Sequence, residues 1–270
     1  MSWHGAASGQ QREEKGVLPS LLAVLAHPDD EALMCGGVLA QHAEAGARTA
    51  VVTATWAENS PRAGELADSL TALGLSEPPR MLGYADHRVP ESAPGRPRWC
   101  DVSLEEAVGQ IVAHIRQVRP DVVVTHDAYG QLTGHPDHRY THQMTLLAVT
   151  AAGLGQRYRD FGPPWQPAGL YLATHPDSGT GDLGDLLRRV GKTVLSVPDG
   201  HVSTTVDVRP WLGHKWAAIQ AHRSQVERER PLPGILSRLP EEIRHRIIGT
   251  EYYTRIGLTH SPDSLTQLAS

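Results

Sequence analysis

Cysteine is scarce in this sequence. Cys35 and Cys100 are the only two in 270 residues, too few for a disulfide framework, so both are expected as free thiols. Lysine is nearly as rare: Lys15, Lys192 and Lys215 are the only lysines among 25 basic residues, a skew read here as coding bias. There is no surplus of positive charge. The formal net charge of -5 excludes general attraction to nucleic acid or other polyanions. Long apolar runs are missing too. The longest early one, Leu21–Ala26, falls far short of the roughly 20 residues a membrane span needs. The segment before it shows no secretory cleavage pattern, which makes a cytoplasmic location the default expectation. A Gly-x-Gly-x-x-Gly turn is absent after that run, which argues against a non-catalytic Rossmann-like module that binds a nucleotide or glycoside.

With 40% hydrophobic and 20% charged residues the chain has the composition of a globular protein, long enough for one large α/β domain. Residues 1–19 are polar and without periodicity, which predicts a mobile leader ahead of a single domain over 20–270. Leu21–Ala26 reads as a buried strand, followed by a helix from about Cys35 to Ala45. Strands are then expected at Thr49–Thr55 and Arg80–Tyr84, with a helix at Arg62–Leu73 between them. A helix at Val102–Val118 and the β-branched strand Val122–Thr125 follow. Past residue 150 the pattern weakens to strands at Gly169–Thr174 and His201–Val208 and a long helix at Trp211–Arg228. Strands alternating with helices predict a Rossmann-like α/β fold, a mostly parallel sheet with helices on both faces.

In such a sheet, ligands bind beyond the carboxyl ends of the strands. Two motifs stand there. His27-Pro28-Asp29-Asp30-Glu31 directly follows the first strand, and Gly134-His135-Pro136-Asp137-His138 lies a short loop after Val122–Thr125. Imidazole and carboxylate suit zinc and ferrous iron, and a catalytic ion keeps three protein ligands with one position open. His27, Asp30 and His138 would supply that set, for Zn(II) or equally for Fe(II), leaving Asp29 and His135 for proton transfer. Asp137 is placed to accept a hydrogen bond from a catalytic histidine and orient it. The bland reading of the first motif is a turn with helix-capping aspartates, and of the second a loop of solvated histidines. The pairing of the two argues against both.

This pairing resembles the PIG-L/LmbE-like de-N-acetylases, the N-acetylglucosaminyl deacetylase family. Arg62-Ala63-Gly64-Glu65-Leu66, Leu82-Gly83-Tyr84-Ala85-Asp86, and Lys215 with Ala221-His222-Arg223-Ser224-Gln225 extend the resemblance, while 150–205 shows little to align. The resemblance implies a catalytic zinc on His27, Asp30 and His138, with Asp29 as general base. It also implies that His135 stabilises developing charge or protonates the leaving amine, and that Arg62 and Asp86 contact the sugar. Since the family acts on N-acetylglucosamine carried by varied partners, the substrate is expected to be a small glycosylated molecule. A glycopeptide antibiotic pseudoaglycone of the teicoplanin kind is the first expectation, with Trp99 and Pro163-Pro164-Trp165 as loop aromatics that could meet a bulky aglycone. N-acetylglucosaminyl-inositol, or another amide of mycothiol metabolism, is the alternative. His175-Pro176-Asp177 imitates the first motif, but Ser178 stands where a second aspartate would be needed. His126 and His222 are read as structural histidines, and His4, His42, His114, His245 and His260 as surface ones. A metallo-phosphoesterase is disfavoured because no basic cluster accompanies either motif.

Overall fold

The computed structural model describes residues 18–258. The expected leader therefore lies outside the described residues except for Leu18 and Pro19, and His4 and His260 lie outside them as well. The chain runs β1 (Leu21–Leu25), α1 (Asp30–Glu44), β2 (Thr49–Thr55), α2 (Pro61–Ala72), β3 (Arg80–Tyr84), α3 (Leu104–Val118), β4 (Val122–His126) and α4 (Pro136–Ala151). It continues through β5 (Gly169–Thr174), α5 (Gly181–Arg189), β6 (Thr204–Asp207), α6 (Leu212–Ala221), α7 (Arg223–Val226), α8 (Leu232–Ser237), α9 (Glu241–Ile248) and β7 (Thr250–Gly257).

The strands form one sheet in the order β3-β2-β1-β4-β5-β7-β6. The first five are parallel, and β7 is antiparallel to both neighbours. β1 is buried along its length because its two faces feed two cores. Leu21, Ala23 and Leu25 join the core holding α1, α2 and α6 residues, while Leu22 and Val24 join the one under α3 and α4. Full burial of each such leucine stabilises the fold by about 1.5–3 kcal/mol, which is why an unbroken apolar run suits this central position. The expected α/β sheet with helices on both faces is the one found.

The chain passes from β1 through α1 to β2 on one side, and after β3 it returns to β4 on the other. The connections leaving β1 and β4 thus diverge, and a crevice opens between their carboxyl ends. Both motifs meet there.

Three expectations need correction. α1 begins at Asp30, not Cys35; Cys35 instead marks a break inside the helix, with φ -140° and ψ 18°. The amides of Gly37 and Val38 beyond that break are received by the carboxylate of Glu251 on β7, at 2.8 and 3.1 Å. The long helix expected at Trp211–Arg228 is two, α6 and α7, parted at His222, whose ring is drawn into the interior by Glu31. The strand β7 and the helices α4, α5, α8 and α9 add to the expected elements. Their apolar positions are few or interleaved with polar ones, as in Thr250-Glu251-Tyr252-Tyr253-Thr254-Arg255, and so give no clear period. No helix among the described residues is long and apolar enough to cross a membrane.

Candidate active site

The turn from β1 into α1 presents the first motif. Asp29 adopts φ 120° and ψ -22°, a conformation non-glycine residues rarely hold, which stores strain of about 1–3 kcal/mol. It is held there because Glu31, fully buried, accepts the Asp29 amide at 3.0 Å. Glu31 is itself fixed by Ser69 Oγ at 2.5 Å and His222 Nε2 at 2.6 Å. Burial opposes the charges of that pair but is outweighed: His222 is held above its ordinary range by Glu31, and Glu31 below its own by His222. Glu31 and Ser69, given no role from the sequence, thus anchor the motif together with His222, read there as structural.

The second motif begins α4, with His135 as N-cap and its Nδ1 accepting the Asp137 amide at 3.2 Å. The turn of α4 brings His138 beside His27. His27 Nδ1 and His138 Nε2 are 3.2 Å apart, and Asp30 stands 3.3 Å from the first and 3.4 Å from the second. Ligand atoms about 2.1 Å from a tetrahedral ion are themselves roughly 3.4 Å apart, so these three side chains have the spacing of a ligand triangle.

The protons point the same way. His138 Nδ1 faces the Gly130 carbonyl at 3.3 Å, while His27 Nε2 faces Asp137 at 3.1 Å and Asp86 at 3.3 Å. With the hydrogen assigned to each outer nitrogen by these partners, two lone pairs face each other beside a carboxylate, an arrangement that a shared proton or a metal ion satisfies. Without a metal ion a proton takes the place: burial works against charge on His27, but hydrogen bonds to Asp137 and Asp30 raise it well above the imidazole range. Burial likewise opposes charge on Asp30, and His138 and His126 overcome it to hold the carboxyl well below its usual range.

Three overlapping groups of side chains lie close enough to hold a metal ion: His27, His135 and His138; His27, Asp86, His135 and Asp137; and Asp30, His126 and His138, so that the expected ligands are divided between them. His126, expected from the sequence to be structural, stacks on His138 with ring centres 4.0 Å apart. Its Nε2 accepts the Ala26 amide at 3.0 Å, so that lone pair is engaged and His126 buttresses His138. As the last residue of β4, it stands at a position from which a functional role is legible.

The remaining candidates surround this centre. Asp29 is raised by burial, with Arg62 Nη2, 3.3 Å away, offsetting it in part. Arg62 also lies over the Trp56 ring, 4.9 Å from its centre. Asp137 Oδ2 orients His27, and it is held by the His87 amide at 2.9 Å and, through Oδ1, by the Cys100 thiol at 3.0 Å. Burial, then His27 and His138, push His135 down to about 2. Because its Nδ1 accepts, its Nε2 carries the hydrogen, directed to the side where Asp86 stands 4.0 Å away.

A cavity of about 220 Å³ opens over the centre, lined by Asp29, Arg62, Asp86 and His135 and also by Trp56, Arg88 and Lys192. The loop aromatics expected to meet an aglycone are elsewhere. Trp99 is fully buried against Tyr84 and Tyr140, and Trp165 donates to the Pro120 carbonyl at 2.8 Å. Trp56, which no motif marks in the sequence, takes their place with φ 75°. His175 lines the cavity as a neutral residue, pushed down to about 4 by burial. His42 is buried rather than exposed, paired with the Pro19 carbonyl at 2.9 Å.

Residues 22–149 match the family described as GlcNAc-PI de-N-acetylase, PIG-L. A 1D-myo-inositol 2-acetamido-2-deoxy-alpha-D-glucopyranoside deacetylase of Rhodococcus jostii is 38% identical over 240 residues, covering 76% of this chain and 81% of its own. Among solved structures, a conserved protein of Thermus thermophilus superposes with a TM-score of 0.61 at 22% identity, covering 91% and 98% of the two chains. A deacetylase of the teicoplanin biosynthesis pathway superposes with a TM-score of 0.55 at 22% identity, covering 91% and 100%. At these identities the solved structures carry the fold.

Proposed function

The chain belongs to the PIG-L family of de-N-acetylases, and from that premise we propose that it hydrolyses the acetamide of an N-acetylglucosaminyl glycoside of inositol, using a divalent ion held by His27, Asp30 and His138. The observation that carries this reading is the pair of imidazole nitrogens facing each other at 3.2 Å beside Asp30. Zinc is the proposed metal; ferrous iron suits the same donors. Such an ion would lower the pKa of a water molecule to about 7 and polarise the amide carbonyl.

The protein's own groups supply the rest. Asp29, raised by burial, is a better proton acceptor than an ordinary carboxylate, and Arg62 keeps it from being lost to protonation. His135 meets the substrate as a neutral imidazole with Nε2–H outward, so its first role is to donate a hydrogen bond to the oxygen of the amide as charge develops. The proton that Asp29 takes from the attacking water is then the one available to the leaving nitrogen, while His135 keeps its own. Asp137 fixes the ring of His27, and Arg62, Asp86 and Trp56 are the groups placed to hold the sugar.

The inositol glycoside displaces the glycopeptide as first choice. Relatives sharing 31 to 38% identity with this chain carry the name of the inositol glycoside deacetylase, whereas the teicoplanin enzyme shares 22%. The two free cysteines, Cys35 and Cys100, suit the reducing conditions of the cytoplasm, which we propose as its location.

The test is to incubate the zinc-loaded or iron-loaded protein with N-acetylglucosaminyl-inositol and with an N-acetylglucosaminyl glycopeptide, and to follow loss of acetyl by mass spectrometry. Loss from the inositol glycoside, abolished by chelation, is expected. No loss from either substrate with metal supplied would overturn the reading.

A further inference from the structure

Between β4 and α4 the backbone turns left-handed three times, at Gly130, Gln131 and Gly134, with φ 79°, 56° and 58°. Gly130 admits no side chain: a β-carbon there would stand 2.9 Å from Arg139 Cγ and 3.0 Å from the His135 carbonyl oxygen. Its own carbonyl is the group that faces His138 Nδ1 at 3.3 Å. The outer nitrogen of a metal-binding histidine needs such a partner, because that contact fixes the ring and directs the other nitrogen at the ion. Whatever aims the Gly130 carbonyl therefore acts on the metal centre.

That task falls to Asp127, a buried residue directly after β4. Its Oδ1 accepts the amides of Tyr129 at 3.1 Å and Gln131 at 2.8 Å, the residues on either side of Gly130. The Gln131 amide and the Gly130 carbonyl belong to one planar peptide unit, so drawing the N–H to Asp127 turns the C=O the opposite way, to His138. Asp127 Oδ2 accepts Thr174 Oγ1 at 2.8 Å, at the carboxyl end of β5, and Gln131 Nε2 donates to the Ala173 carbonyl of the same strand at 3.0 Å. The peptide unit is thereby referenced to the sheet. Among the described residues Asp127 has no ion pair, and it is not one of the residues lining the cavity. Burying a carboxylate among neutral donors alone is costly, and here the cost falls where one peptide unit must be held.

We propose that Asp127 is a positioning residue of the metal centre: through the peptide unit joining Gly130 to Gln131 it aims the carbonyl that fixes His138, and so sets how tightly the ion is held. The inference rests on the metal-dependent reading and adds to it a residue outside the ligand set. Asp137 orients His27 by direct contact at 3.1 Å, whereas Asp127 orients His138 through the backbone.

Zinc affinity of the full chain, read by competition with a chromophoric chelator, tests this apart from turnover. Asp127→Ala is expected to weaken zinc binding about 10–100-fold, and Asp127→Asn, which keeps an acceptor for the Gln131 amide, to recover most of that loss. Thr174→Val, which frees one carboxylate oxygen, should show a smaller loss in the same direction. In the cobalt-substituted protein the visible absorption bands, which report ligand geometry, should shift in Asp127→Ala and hold in Asp127→Asn. Thermal denaturation of the metal-free variants separates positioning from support of the fold. A merely structural Asp127 would lower the melting temperature and leave zinc affinity per folded molecule unchanged, and that result, or an equal loss in Asp127→Asn, would overturn the proposal. If Asp127→Ala fails to fold, Thr174→Val carries the test, and an unchanged zinc affinity there counts against the role. Absence of zinc binding by the parent chain would sink the metal reading itself, whereas zinc held equally by the parent chain and Asp127→Ala sinks the positioning role alone.

Discussion

Two buried polar clusters flank the break in α1 at Cys35, and they are built on opposite principles. On one side Glu251 receives the amides of Gly37 and Val38, Lys215 Nζ at 2.6 Å and Tyr253 Oη at 2.8 Å. Each carboxylate oxygen has two donors, and side chains there fit so closely that a β-carbon on Gly37 would collide with Val208. On the other side His27 and His138 present lone pairs to each other with Asp30 between them. The first cluster is complete in itself and holds the fold; the second, in the function proposed above, is completed by a metal ion and serves chemistry. A buried charge by itself therefore says little about function, and whether its complement lies within the chain says much more.

The largest effect that would sharpen this contrast is on turnover. Asp29→Ala should lower kcat by about 10²–10⁴-fold while leaving bound metal intact, whereas His138→Ala should lose both. Metal content by atomic absorption beside acetate release would check this, and a fully active Asp29→Ala would remove Asp29 as base. Next is stability. Lys215→Met leaves the Glu251 carboxylate buried without its counter-charge and should cost about 3–5 kcal/mol in urea denaturation, with metal content per folded molecule unchanged. Loss of metal without loss of stability would erase the distinction between the clusters.

The smallest effect concerns the pair that anchors the first motif, Glu31 and His222. His222 is raised from its ordinary value of 6.5, so its contribution is full below about pH 6.5 and is lost as pH rises through its folded value. Glu31 is lowered from 4.5, so its contribution is full above about pH 4.5 and is lost as pH falls through its folded value. Both act fully between those limits. His222→Gln, which keeps a donor without the charge, should flatten the alkaline side of the stability profile measured by thermal denaturation. An unchanged profile would show that the pair is neutral.

Much of residues 21–126 is legible in the sequence because its elements are simple. β2, β3 and β5 fall on the predicted bounds, and β1 and β4 differ by one residue at the carboxyl end, since continuous apolar or β-branched runs bounded by turns have few other readings. α1 and α6 escape such a reading because their interruptions at Cys35 and His222 are imposed by Glu251 and Glu31. Those carboxylates lie 214 and 191 residues in sequence from the Gly37 amide and the His222 ring they bind. The 150–205 region hides Lys192, since a single lysine among arginines carries no periodic or motif signal.

The sequence by itself determined the alternation of strands and helices and placed two groups of imidazole and carboxylate at strand ends, since both are local properties of spacing and side-chain type. Only the tertiary structure decided which partners each histidine nitrogen faces, that burial pushes His135 down, and that Trp56 rather than Trp99 lines the cavity. Those features depend on hydrogen-bond partners and burial contributed by distant segments. The physics of a site lies in its neighbours, and a linear sequence does not state them.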